Sequence, residues 1–153
     1  MSTLTDTLLR EHAALLEGVE RIRLAARDIP ALSPAERETR RAEVVDFLRD
    51  TVVPHARHEE RDVYPRVARV LGHPESTSSM VYDHLAVRER TADLTDADPD
   101  DVPRLQELLY GLYAVIRTHP WKEEELYFPL LEQGGRPPLA EVAYETPVLR
   151  HEP

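Results

Sequence analysis

Apolar residues recur at three- and four-residue intervals in four separate stretches of this chain. Leu8, Leu9, Leu15, Leu16 and Val19 form the first stripe, and Leu48 and Val52 belong to the second. Met80, Val81, Val87 and Leu94 mark the third, and Leu112, Ile116, Leu126 and Leu130 the fourth. That period is the mark of helices that press one face against a core. Each stripe also holds a histidine: His12, His55, His84 and His119, with Glu59 and Glu123 beside two of them. Titratable groups on the dry face separate this chain from an ordinary charged protein.

Punctuation residues divide the stretches. The first helix is expected from Thr3–Asp6 to about Arg27, ahead of Ile29-Pro30. Ser33-Pro34-Ala35-Glu36 reads as a capping box with proline in the first turn, and it opens the second helix. That helix carries Pro54 and Pro65, each expected to kink it, and stops at Leu71-Gly72-His73-Pro74. Ser76–Ser79 opens the third helix, which reaches about Leu94. The fourth runs from about Val102 to Glu132 and ends at Gln133-Gly134-Gly135. Residues 1–135 are thus expected to form one domain. Residues 136–153, with four prolines and no periodicity, are expected to be a tail without a core role. Short connections predict an all-α, up-down-up-down antiparallel four-helix bundle. The histidines lie near the N-terminal ends of helices one and three and in the C-terminal halves of two and four. Antiparallel packing would bring all of them to one level.

Two segments are copies of one device. His55-Ala-Arg-His-Glu59-Glu-Arg-Asp-Val-Tyr-Pro65 aligns without a gap on His119-Pro-Trp-Lys-Glu123-Glu-Glu-Leu-Tyr-Phe-Pro129. Histidine and carboxylate one turn apart project from the same helix face. Upstream of each copy lies a lone histidine after an acid, Glu11-His12 and Asp83-His84. Four imidazoles and two carboxylates carry a charge of about −2, which suits two divalent ions better than one. A carboxylate has two oxygens and can bridge, whereas an imidazole binds through one nitrogen. Nitrogen and oxygen donors without sulfur suit iron, manganese or zinc. Six donors leave two six-coordinate ions unsaturated, with room for a small ligand.

This pattern resembles the hemerythrin family in its HHE cation-binding form, over roughly Leu4 to Leu131. The resemblance implies a non-haem di-iron centre in an antiparallel four-helix bundle. It implies metal ligation by His12, His55, Glu59, His84, His119 and Glu123, and dioxygen, peroxide or nitric oxide as the small ligand. In the oxygen carriers of that family, helix three offers a second histidine one turn on. Here Arg88 stands there, and the last motif ends in Glu123 instead of a later aspartate. Those departures turn the expectation from oxygen carriage toward sensing, peroxide handling or iron handling. A zinc- or manganese-dependent hydrolase is the alternative. It is weakened by the lack of HExxH and by six donors where a catalytic zinc needs three and a water. No Glu-x-x-His pair of the ferritin-like oxidases occurs. Whether the chain is an enzyme stays open at this point.

The formal charge of −10, from 29 acids against 19 bases, argues against nucleic acid or an anionic membrane as partner. With no cysteine, thiolate ligands and disulfides are excluded. No apolar run of about 18 residues and no signal peptide are seen, so a cytoplasmic location is expected. Among the remaining residues, Glu60 and Glu124 read as surface acids, and Asp62 as a neighbour of the centre on the His55 face. His58, His73 and His151 read as solvent-facing. Tyr64, Tyr110, Tyr113, Trp121 and Phe128 read as packing residues, with Tyr64 half a helical turn away from His55 and so badly placed for the site.

Overall fold

The computed structural model describes residues 3–133, all within four helical rods and their connections. The first rod is α1, Thr3–Asp28, followed by one 3-10 turn at Ile29–Ala31. The second is assembled from α2 Pro34–Phe47, α3 Val53–His58 and α4 Tyr64–Leu71, joined without a break by wide turns at Leu48–Val52 and Glu59–Val63. The third is α5, Ser78–Asp96. The fourth joins α6 Val102–Lys122 to α7 Phe128–Gln133 through a wide turn at Glu123–Tyr127. Among the described residues there is no strand, and no helix is long and apolar enough to cross a membrane. Gly134-Gly135 and the tail expected at 136–153 lie outside the described residues.

The caps follow the sequence. Ser33 accepts from the Glu36 backbone N–H while the Glu36 carboxylate accepts from the Ser33 backbone N–H, so two unpaired amides are satisfied at once. Gly72 ends α4 in the left-handed region at φ 72°, where a side chain is strained. α1 packs on α2 and α6, α5 packs on α2, α3 and α6, and α4 packs on α7. Gly18 lets α1 approach the second rod, since a Cβ there would stand 2.2 Å from the Phe47 ring.

The three wide turns share one cause. Each closes when the N–H of Val53, Tyr64 or Phe128 bonds the carbonyl five residues back, at Leu48, Glu59 or Glu123. The next residue is each time a proline: Pro54, Pro65 and Pro129. A proline has no N–H, and its ring presses on the carbonyl four residues back. Widening the preceding turn by one residue relieves that pressure without breaking the rod. Pro120 behaves differently, for α6 continues through it as regular α-helix.

The apolar core is in two clusters. The larger contains Leu15, Val19, Ile22, Leu48, Leu94, Leu105, Leu109, Leu112 and Ile116. The smaller contains Leu8, Val63, Tyr64, Val67, Met80, Tyr127, Phe128 and Leu130. His12 falls between Leu8 of one and Leu15 of the other, and the polar layer lies at that junction. Four stripe residues differ from the expectation. Val81 faces outward at 37% exposure, while Leu9, Leu16 and Leu126 are only half-buried. After the wide turn at Glu123, burial passes to Tyr127 and Phe128.

Candidate metal centre

The six donors expected from the repeat meet in one place. His12, Glu59 and Glu123 are completely buried, and His84 and His119 nearly so. His55, with 9% of its side chain exposed, is the outermost. Glu59 is in the middle. Its Oε1 lies 2.9 Å from His55 Nε2 and 3.3 Å from His12 Nε2, and its Oε2 lies 3.3 Å from His84 Nε2 and 3.8 Å from His119 Nε2. One carboxylate therefore spans two histidine pairs with one oxygen for each. Glu123 Oε2 also crosses between the pairs, 3.3 Å from His12 Nε2 and 3.7 Å from His119 Nε2. Two donor groups are close enough to hold an ion, His12–His55–Glu59 and Glu59–His84–His119.

A ring of acids orients the imidazoles from outside. His12 Nδ1 donates to Glu124 at 2.8 Å, His84 Nδ1 to Glu60 at 2.9 Å, His55 Nδ1 to Glu11 at 3.1 Å and His119 Nδ1 to Asp83 at 3.1 Å. An ionised carboxylate only accepts, so each Nδ1 carries a proton and each ring turns its Nε2 inward. This corrects the reading of Glu60 and Glu124 as surface acids. The signal was present in the duplication: each acid follows the motif glutamate in both copies, and an acid precedes each lone histidine.

Tyr64 is the second correction. In a regular helix it would point away from His55, but the wide turn at Glu59–Val63 takes up one residue and returns it to the Glu59 face. Its hydroxyl lies 3.1 Å from His119 Nε2 and 3.3 Å from His84 Nε2, and its ring stacks on His84 at 5.5 Å between centroids. Phe128, its counterpart in the second copy, stacks on His12 at the same spacing of 5.5 Å. Asp62 is carried away from the centre by the same turn and pairs with Arg61 and His58. His58 is partly shielded and not free in solvent, lying between Glu11 and Asp62. His73 is exposed as expected, and His151 lies outside the described residues. Tyr113 packs against the larger core cluster, whereas Tyr110 and Trp121 are exposed and do not pack as expected.

The electrostatics suit a cation. Burial disfavours the Glu59 charge, but His119, His12, His55 and His84 outweigh it and hold that carboxyl well below its usual range. Burial and the neighbouring Glu59 charge push Glu123 up. Burial lowers the pKa of His12, yet Glu123, Glu59 and Glu124 raise it to about 10. At His119, Asp83 and Glu59 overcome burial and raise it to about 9. Burial and the charges of Glu123 and Glu59 keep the Tyr64 phenol protonated. His55 Nε2, Glu59 Oε2 and both Glu123 oxygens are buried without a hydrogen-bond partner. Orphaned lone pairs of this kind cost several kcal/mol in a dry layer, on the order of a buried unpaired charge. A metal ion accepting those lone pairs removes the cost, and the mixed N and O set fits iron, manganese or zinc.

Helical rods around a buried histidine–carboxylate cation site define the class of protein. The chain belongs to the hemerythrin family: the hemerythrin HHE cation binding domain matches residues 3–131. No curated protein and no solved structure matches the chain.

Proposed function

We propose that this chain is a non-haem di-iron protein that binds dioxygen or a related small ligand, peroxide or nitric oxide, for sensing, peroxide handling or iron handling. The observation that carries the reading is Glu59, whose two oxygens face two different histidine pairs. In this reading His12 and His55 would hold one ion and His84 and His119 the other, with Glu59 and Glu123 shared. The rods would run up-down-up-down as an antiparallel bundle, which sets donors from opposite chain directions at one level. Iron would supply the electrons that bind and activate a dioxygen-class ligand. The protein supplies the rest. The outer acids fix each ring and strengthen its donor nitrogen. The Tyr64 hydroxyl offers a hydrogen bond at the inner edge of the His84–His119 pair. Leu15, Val52, Val87 and Ile116 wall a cavity of about 20 Å³ against His55, His84 and His119, room for one water-sized guest beside the histidines.

Metal analysis and absorption spectroscopy of freshly purified, iron-loaded protein test this. Two irons per chain with a near-ultraviolet charge-transfer band that changes on adding oxygen or nitric oxide support it. One colourless zinc per chain, with iron rejected, would sink it in favour of a hydrolase.

A further inference from the structure

The two halves of the centre are built alike, and two of the positions at which they differ bear on the outer acids. Arg88 follows His84 by four residues, where Leu16 follows His12. Lys122 follows His119 by three, where His58 follows His55. Both cations lie on the outer acids of one half. Arg88 Nη1 donates at 2.9 Å to Glu60 Oε1, the same atom that accepts from His84 Nδ1. Lys122 Nζ donates to Asp83 Oδ2, the same atom that accepts from His119 Nδ1. Among the described residues, no arginine or lysine pairs with the acids of the other half. Glu124 has His12, and Glu11 has His55 with His58 Nδ1 at 3.7 Å.

A carboxylate on Nδ1–H pushes electron density toward Nε2 and makes the imidazole a stronger ligand. A cation on the same oxygen draws that charge away, and it also adds positive charge near a bound metal. From this asymmetry, resting on the two-metal reading above, we infer that the two ion positions are unequal. The His12–His55 position binds more tightly, the His84–His119 position is the weaker and more exchangeable one, and Arg88 and Lys122 set the difference.

Cobalt(II) titration of the metal-free full chain tests this, followed by visible absorption and by heat. Wild type should show two steps whose affinities differ by about tenfold or more, the size of effect that groups behind metal ligands exert. His84→Ala should lose the weaker step and keep the tight one. Replacing Arg88→Leu with Lys122→His, to copy the other half, should tighten the weaker step toward the first and leave the first in place. Both side chains are 32% exposed, so their replacement spares the core, and circular dichroism checks the fold. Two equal steps in wild type overturn the inference while leaving the two-metal reading intact. So does an unchanged gap in the double variant, or loss of the tight step in His84→Ala. Failure to take up any cobalt overturns both together.

Discussion

His84 Nε2 and His119 Nε2 face each other at 2.9 Å while the Nδ1 of each ring is engaged by a carboxylate. Two inward lone pairs at that distance repel unless a proton or a metal ion lies between them. Removing the metal should therefore destabilise the protein. A ligand at a thousand times its Kd contributes about 4 kcal/mol to stability. For a chain of this size that corresponds to roughly 10 °C in Tm. Calorimetric scans with and without a chelator at neutral pH measure it. An unchanged Tm would mean that the six donors do not share an ion.

Glu59→Gln should cost more metal than Glu123→Gln. Glu59 reaches all four histidines, whereas Glu123 reaches His12 and His119. An amide is the weaker ligand and, in the two-metal reading, would remove one negative charge from between the two cations. Metal-to-protein ratios should fall toward one in Glu59→Gln and less far in Glu123→Gln. Ratios near two in both variants would contradict a bridging role.

The outer acids should matter although none is expected to touch metal. Glu60→Gln and Glu124→Gln should each weaken metal binding by about 10- to 100-fold, through loss of orientation and donor strength. Asp62→Asn, on the neighbouring turn, should leave it unchanged, because Asp62 is engaged by Arg61 and His58 outside the centre. Competition with a calibrated chelator gives the affinities. Equal loss in all three would return Glu60 and Glu124 to the general surface charge.

In the metal-free protein, His12 and His119 hold protons up to about pH 10 and 9. Each pKa is raised above the unfolded value near 6.5, so the stability they contribute is complete below about pH 6.5 and is lost as pH rises through 9 and 10. The lowered Glu59 carboxyl adds stability that is present above its ordinary pKa and lost in acid. The metal-free Tm should thus fall from pH 6 to pH 10. The stabilisation conferred by metal should run the other way, shrinking in acid because binding must displace these protons. Calorimetry at pH 7.5 in buffers of different ionisation heat should count about two protons released by His12 and His119 on metal binding. Release of none would show both rings already neutral.

Tyr64→Phe should preserve the stacking on His84 and the metal content while removing the phenol hydroxyl from the His84–His119 edge. A small anionic probe such as azide should bind several-fold more weakly to the iron-loaded variant, the measure of about 1 kcal/mol for one hydrogen bond. Unchanged azide affinity in a spectral titration would show that the phenol faces away from the bound ligand.

The stripes, the caps and the meeting of the six histidine and glutamate side chains were legible because each depends on spacing within one regular helix. His55 with Glu59, and His119 with Glu123, are one turn apart whatever surrounds them. Tyr64 and Asp62 were misjudged because both lie in or just past a wide turn, where a count of about 3.6 residues per turn no longer gives the angle. Pro65 and Pro129, at one offset from the two motif glutamates, were the available sign of that turn. Glu60 and Glu124 were missed for another reason. Each acts on a histidine of a different rod, Glu60 on His84 and Glu124 on His12, and a helical wheel shows which way a residue points but not what comes to meet it.

Tyr64 and Phe128 occupy matching places in the two halves, stacked on His84 and His12 in turn, and they differ by one oxygen atom. Two identical hairpins associating as a dimer would be obliged to carry either two phenols or two phenyl rings. Joining both halves in one polypeptide lifts that obligation, so one histidine pair can keep a hydroxyl beside it and the other a dry wall. What the doubled chain gains over a paired single hairpin is the freedom to make its two halves unlike.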